Sequence, residues 1–123
     1  MSDNRLDTAR RHSLFLARQL DNGKLKPEIF LPMLDKVLTE ADFQAFADWD
    51  TIRAEENEEE LARQLRELRR YVVSQIIVRD INRISDLHEV TRTITLFADF
   101  AVNTALDFAL RLLAYLASRK KIS

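Results

Sequence analysis

Cysteine is absent from the 123 residues, which removes disulfides, thiolate metal sites and cysteine nucleophiles together. Glycine occurs once, at Gly23, and proline twice, at Pro27 and Pro32. A sheet protein of this length needs turn residues at short, regular intervals, and they are missing. An excess of one charge is missing too: 19 basic against 20 acidic residues leave a formal charge of -1. No global pull towards nucleic acid or membrane follows from that balance. No signal-peptide pattern opens the sequence, so a cytoplasmic location is the default expectation. The most apolar stretch, Leu96 to Ala117, is interrupted by Asp99, Asn103, Asp107 and Arg111. Each charge there costs about 3 kcal/mol at a bilayer centre. The stretch is therefore expected to be a buried-face helix, with no membrane partner.

What is present is helix composition: long runs rich in Leu, Ala, Arg and Glu,. The expected fold is all-α, one domain over residues 1–123, a bundle of four to six helices with a long C-terminal helix. A first helix is expected from Asp3 to about Asn22, on Leu6, Ala9, Ser13, Leu16, Ala17 and Leu20, with Gly23 as its stop. Pro27 and Pro32 bracket a short helix, each suited to a first turn and neither to an interior. Thr39 followed by Asp42 reads as an N-cap, opening a helix through Phe43, Phe46 and Trp49. The acidic run Glu55 to Glu60 around Asn57 fits the start of a helix extending to about Arg83, with Leu61, Leu65, Leu68, Val72 and Ile76 on one stripe. Ser85 and Asp86 mark a corner, with Glu89 completing a pattern like a capping box.

The last helix is expected from Leu87 to about Ser118, roughly 45–50 Å at 1.5 Å per residue. Its core face reads Leu87, Val90, Ile94, Phe97, Ala101, Ala105, Phe108 and Leu112. Arg119, Lys120 and Lys121 suit the negative end of its dipole. Apolar residues on more than one face (Leu110, Leu112, Leu113, Tyr115, Leu116) imply a helix central in its bundle or buried against a second copy.

Candidate chemistry is sparse. His12 and His88 belong to no ligand-spaced cluster. The acidic run lacks the alternating oxygen ligands and glycine of a calcium loop. Asp48-Trp49-Asp50 is the one Asp-x-Asp, a pattern that can hold two divalent cations at a triphosphate. Its surroundings read as helix, and no Gly-Ser turn precedes it. No residue is assigned as catalytic, cofactor-binding or metal-binding. The basic cluster Arg63, Arg66, Arg69, Arg70, Arg79 and Arg83 faces only Glu67 and Asp80 between residues 63 and 83, a net of +4, whereas residues 40 to 60 carry -8. Two readings stand: the two segments pair across the bundle surface, or Arg63, Arg66, Arg69 and Arg70 form a docking face for an acidic or phosphate-bearing partner. Nucleic acid fits poorly, since no aromatic platform is interleaved with the arginines. Arg79-Asp80, set in an apolar stretch, is expected to be satisfied by neighbouring helices and to fix the register of the bundle.

The stretch Arg63-Gln64-Leu65-Arg66-Glu67-Leu68-Arg69-Arg70, continuing through Gln75-Ile76-Ile77-Val78-Arg79-Asp80, resembles a known family. So does Ile84-Ser85-Asp86-Leu87-His88-Glu89-Val90-Thr91, followed by Ile94-Thr95-Leu96-Phe97-Ala98-Asp99. Together they resemble the N-terminal helical region of glutamate-ammonia-ligase (glutamine synthetase) adenylyltransferase, the bifunctional adenylylating and adenylyl-removing enzyme. The match runs without gaps from about Arg63 to Ala105, and a weaker echo lies at Ser13-Leu14-Phe15-Leu16-Ala17-Arg18. The family's tryptophan is Val78 here, and an arginine common three residues before it is Gln75. After about Ala109 the family continues to a glycine-rich segment and a Ser-Asp-Ile-Asp motif, and neither is present in this sequence.

The resemblance implies a regulator of nitrogen assimilation, a nucleotidyltransferase that attaches AMP from ATP to a tyrosine of glutamine synthetase and removes it by phosphorolysis. It implies separate catalytic domains, magnesium, and control by a PII-type signalling protein. None of the family's catalytic residues maps onto this sequence, so this chain alone is expected to be inactive and to hold neither Mg nor ATP. Glutamine synthetase or the rest of the same enzyme is the implied partner. The alternative is a stand-alone helical interaction module, self-associating through the last helix.

Overall fold

A computed structural model describes residues 3–122, with side chains described from 3 to 118. Among the described residues seven helices follow one another: α1 (Asn4–His12), α2 (Leu14–Asp21), α3 (Pro27–Met33), α4 (Glu40–Ala45), α5 (Trp49–Ala54), α6 (Glu58–Ile81) and α7 (Leu87–Ile122). The all-α class and the long last helix are as read from sequence. The helix number exceeds four to six because two expected helices are each divided: the first at Ser13, and the one expected from Thr39 through Trp49 before Asp48, which caps α5. Ser13 sits extended (φ -135°, ψ 110°), and its hydroxyl accepts from the Leu16 N–H at 3.1 Å. A serine offers its backbone this alternative to a continuing helix.

Three helices end by the same device, a left-handed residue after the last turn whose successor donates five residues back. Gly23 (φ 72°) does so after α2, Glu56 (φ 54°) after α5 and Arg83 (φ 57°) after α6. Pro27 opens α3 as expected, but Pro32 lies inside it. That placement leaves the Glu28 carbonyl without its helical donor. Glu28 and Pro32 are both exposed.

The architecture is organised on α6, which is buried on two faces. One face carries Leu61, Leu68 and Val72 against Leu38, Phe43, Trp49, Ile52, Phe100 and Phe108, from the α4, α5 and α7 side. The other carries Tyr71 and Val78 against Ala9, Leu16, Leu25, Phe30 and Leu34, from α1, α2 and α3. Four aromatic rings tie α4 and α5 to α7: Phe43 meets Phe97 edge-on at 5.8 Å and lies 5.6 Å from Phe100, and Trp49 meets Phe100 edge-on at 5.5 Å. The Trp49 indole donates to the Phe43 carbonyl at 2.9 Å, so this buried ring leaves no polar atom stranded,.

The core face of α7 is rotated from the one expected. Thr93, Phe100, Thr104 and Phe108 are the buried positions, while Leu87 is 80% and Ile94 52% exposed. Phe108 belongs to both sets. In a helix with apolar residues all round, hydrophobicity does not select the face. Here the aromatic contacts to Phe43 and Trp49 do.

A candidate docking groove and a buried polar clamp

The most constrained polar groups lie on one stripe of α6, at Tyr71, Gln75 and Arg79, each one turn apart. Tyr71 Oη accepts from the Lys26 N–H at 2.9 Å, at the N-terminus of α3. Gln75 Nε2 donates to the Met33 carbonyl at 3.3 Å and the Lys36 carbonyl at 2.9 Å. Arg79 Nη1 donates to the Leu34 carbonyl at 2.8 Å. The last carbonyls of a helix have no partner within it. Side chains of α6 supply those partners, so one stripe holds α3 at both ends.

Arg79 does more than cap. Its Nε and Nη2 donate in parallel to the two carboxylate oxygens of Glu89, each at 2.9 Å. Asp86 Oδ1 accepts from the Glu89 N–H at 2.8 Å, the forward half of the expected capping box. The Glu89 carboxylate, instead of returning to Asp86, crosses to Arg79. The Arg79-Asp80 pair of the sequence reading thus separates: Arg79 is buried at 7% exposure, and Asp80 is exposed, with no ion pair among the described residues. Consecutive helical residues point about 100° apart, so the two cannot share a site.

The four arginines of the expected docking face are also divided. Arg63 pairs with Glu60 at 2.6 Å and lines a hollow with Lys26, Phe46 and Tyr71. Arg70 pairs with Glu67 at 2.6 Å. Arg66 and Arg69 are exposed and make no ion pair among the described residues. Arg66, Arg69 and Arg70 line a groove of about 170 Å³ between α6 and α2, completed by Phe15, Gln19 and Val73. The acidic and basic segments do not pair across the bundle surface: Arg63 takes Glu60, the last residue of the acidic segment, on its own helix, and Arg70 takes Glu67. Arg53 pairs with Asp50 at 2.5 Å, and its Nε lies 3.4 Å from Asp107, near enough for ion pairing but not aligned as a hydrogen bond. Phe15 and Gln19 were invisible to sequence reasoning, because only the α2–α6 packing sets them beside the arginines.

Of the Asp-x-Asp, Asp48 caps α5 and Trp49, between the two in sequence, is buried. The Thr51 hydroxyl and N–H bind Asp48 at 2.7 and 3.1 Å and hold its carboxyl below the usual range. Asp50 is turned to solvent beside Arg53. Asn57 caps α6, its Oδ1 accepting from the Glu60 N–H at 3.1 Å. Arg63, first, and then Gln64 pull the Glu60 carboxyl down to about 2. His12 and His88 are exposed. No three His, Asp or Glu side chains gather as metal ligands among the described residues.

The outward face of α7 is apolar: Val102, Leu106, Leu110, Leu113 and Leu116 are each about half exposed or more. The span Leu87–Ser118 is long and apolar enough to cross a membrane by length and composition. The expected basic cap at Arg119, Lys120 and Lys121 lies outside the described side chains.

The family described as glutamate-ammonia ligase adenylyltransferase matches residues 4–118. Over 109 residues the chain is 97% identical to the bifunctional glutamine synthetase adenylyltransferase/adenylyl-removing enzyme of Neisseria meningitidis serogroup A, covering 89% of this chain and 12% of that protein. It is 39% identical over 98 residues to the protein of that name from Chromobacterium violaceum, covering 80% of this chain and 10% of the relative. For Nitrosomonas eutropha the identity is 31% over 97 residues, covering 79% and 10%. No solved structure matches significantly. The chain thus spans about an eighth of the length of the curated Neisseria meningitidis relatives it matches. With the matched residues running from α1 into the last turns of α7, the chain belongs to the glutamate-ammonia ligase adenylyltransferase family.

Proposed function

We propose that this chain is the noncatalytic N-terminal helical region of a bifunctional glutamine synthetase adenylyltransferase/adenylyl-removing enzyme, a scaffold on which the longer protein seats its catalytic domains. The observation that carries the reading is the direction of the chain's polar chemistry. Tyr71, Gln75 and Arg79 all close on its own backbone or on Glu89, so the polar groups of this clamp are not offered to a reacting substrate. Magnesium with a triphosphate does not fit the residues present. Asp48 is spent on Thr51 and Asp50 on Arg53, with the buried Trp49 between them in sequence. Those ligands belong to parts of the enzyme outside this sequence, and its compartment is the cytoplasm.

The outward stripe of α7 supports a protein-facing role, since an apolar helix face of that length in a soluble protein is covered by something. The rest of the enzyme is the covering this reading favours. To test it, the matching region is deleted from the Neisseria meningitidis enzyme and this chain is supplied separately. Transfer of labelled AMP to glutamine synthetase, and its phosphate-dependent release, are then measured. Restored activity is expected with both parts together and none with this chain alone. Transfer or release by this chain alone overturns the proposal.

Self-association through α7 is the second reading, favoured by the exposure of Val102 (64%) and Leu113 (64%). Light scattering decides it: a monomer at high protein concentration removes the homodimer.

A further inference from the structure

We propose that the groove between α2 and α6 is a docking site for an acidic peptide segment that carries an apolar anchor residue. The proposal stands independently of the scaffold reading. Arg66, Arg69, Arg70 and Val73 recur at three- and four-residue steps, so they share one face of α6. Across from them α2 presents Phe15, 41% exposed, and Gln19. Phe15 is in the first turns of α2, next to Leu14, which is 68% exposed. One large apolar side chain, Phe15, is therefore held at the rim of a charged groove.

Charge complementarity fixes the chemistry of the occupant. Glu67, between the arginines in sequence, spends its carboxylate on Arg70. That leaves Arg66 and Arg69 without a carboxylate among the described residues. A guanidinium is a planar fork matched to a carboxylate, and two such forks one turn apart suit acidic side chains two to four residues apart on a peptide. Phe15 and Val73 offer an apolar seat between them.

A protein segment fits this groove better than a nucleic acid does. The same helix begins with Glu58, Glu59 and Glu60, preceded by Glu55 and Glu56, all close to the basic face in sequence. A polyanion extending along α6 would meet that acidic end, whereas a short acidic peptide would not.

The test uses this chain and a fluorescein-labelled twelve-residue peptide, Glu-Glu-Leu-Glu-Glu-Phe repeated twice, read by anisotropy. Saturable binding below roughly 100 μM is expected, a weak interface made by few side chains. It should weaken as salt rises, because the pairs are exposed. The double change Arg66→Glu and Arg69→Glu should weaken binding at least tenfold, and Phe15→Ala about fivefold. Arg92→Glu, an exposed arginine on α7, should leave it unchanged. Circular dichroism confirms that each variant is folded, and the arginine variants guard against any loss of fold in Phe15→Ala. Absence of saturable binding up to millimolar peptide overturns the proposal. So does an equal loss with Arg92→Glu, undiminished binding of a peptide with Gln for Glu, or equal binding of a twelve-nucleotide single strand.

Discussion

Replacing Arg79 with leucine removes the clamp where α3, α6 and α7 meet. The change takes away two parallel hydrogen bonds to Glu89 and the donor on the Leu34 carbonyl. Both charged side chains are largely shielded, Arg79 at 8% and Glu89 at 19% exposure. Breaking a buried pair from one side costs about 3–5 kcal/mol, chiefly because the remaining charge is uncompensated. Glu89 retains some water, which argues for the lower half of that range. The stranded Leu34 carbonyl adds about 1 kcal/mol or more. We expect Arg79→Leu to cost about 4 kcal/mol, against a total stability on the order of 5–15 kcal/mol for a domain of this kind. At this chain length that is a fall in Tm of about 15 °C.

Glu89→Leu should cost about 3 kcal/mol, since it strands the Arg79 charge but leaves the bond to Leu34. In the double variant neither charge remains, and the two costs should fall short of adding by about 2 kcal/mol or more. Urea unfolding followed by circular dichroism at 222 nm gives all three values, with m unchanged as the sign of a two-state comparison. A cost below about 1 kcal/mol for Arg79→Leu, or strictly additive costs in the double variant, would refute the reasoning.

Further outcomes follow from single residues. Gln75→Leu should cost about 1–3 kcal/mol in the same urea assay, because the part-buried Lys36 and Met33 carbonyls lose their donor,; a neutral change would mean that water serves them equally well. Arg83→Gly should stabilise the chain by about 0.5–1 kcal/mol, since Arg83 holds a left-handed φ of 57° that glycine adopts freely,, and a destabilised variant would contradict this. Glu60 should titrate near 2 by carbon NMR and return towards the ordinary carboxylate range in Arg63→Ala. Its folded pKa is depressed, so its contribution to stability is present above the unfolded value and lost as pH falls towards 2. An unmoved midpoint in the variant would sink the assignment to Arg63. Leu106→Glu, at a site 53% exposed, should leave the melting temperature of the monomer within about 2 °C; a large fall would show that this face of α7 is packed.

Much of the fold was legible because helix signals are local. The near absence of glycine and proline, the Leu61–Ile76 stripe of α6 and the Thr39–Asp42 cap all stand as read. Asp42 does accept from the Thr39 N–H, at 2.8 Å. The misses have one cause: side-chain choices decided by packing or by a single hydroxyl. Ser13 breaks a run whose apolar spacing continues unbroken across it. The face of α7 was misplaced because its apolar residues encircle the helix, and only the meeting of Phe100 with Phe43 and Trp49 selects one side. The second face of α6 was hidden because its key residues, Gln75 and Arg79, are polar, and a search for hydrophobic periodicity passes over them. The same holds for the groove. Arg66 and Arg69 were readable, but their separation from Arg63 and their meeting with Phe15 come from tertiary packing.

The central claim is that this helical region supports chemistry performed elsewhere in the longer enzyme. Its most direct test incubates the purified chain with glutamine synthetase, magnesium and ATP labelled at the α-phosphate, and separately with adenylylated glutamine synthetase and phosphate. The intact Neisseria meningitidis relative runs alongside. We expect label transfer and AMP release only from the relative. Either reaction above background from this chain alone would contradict the account.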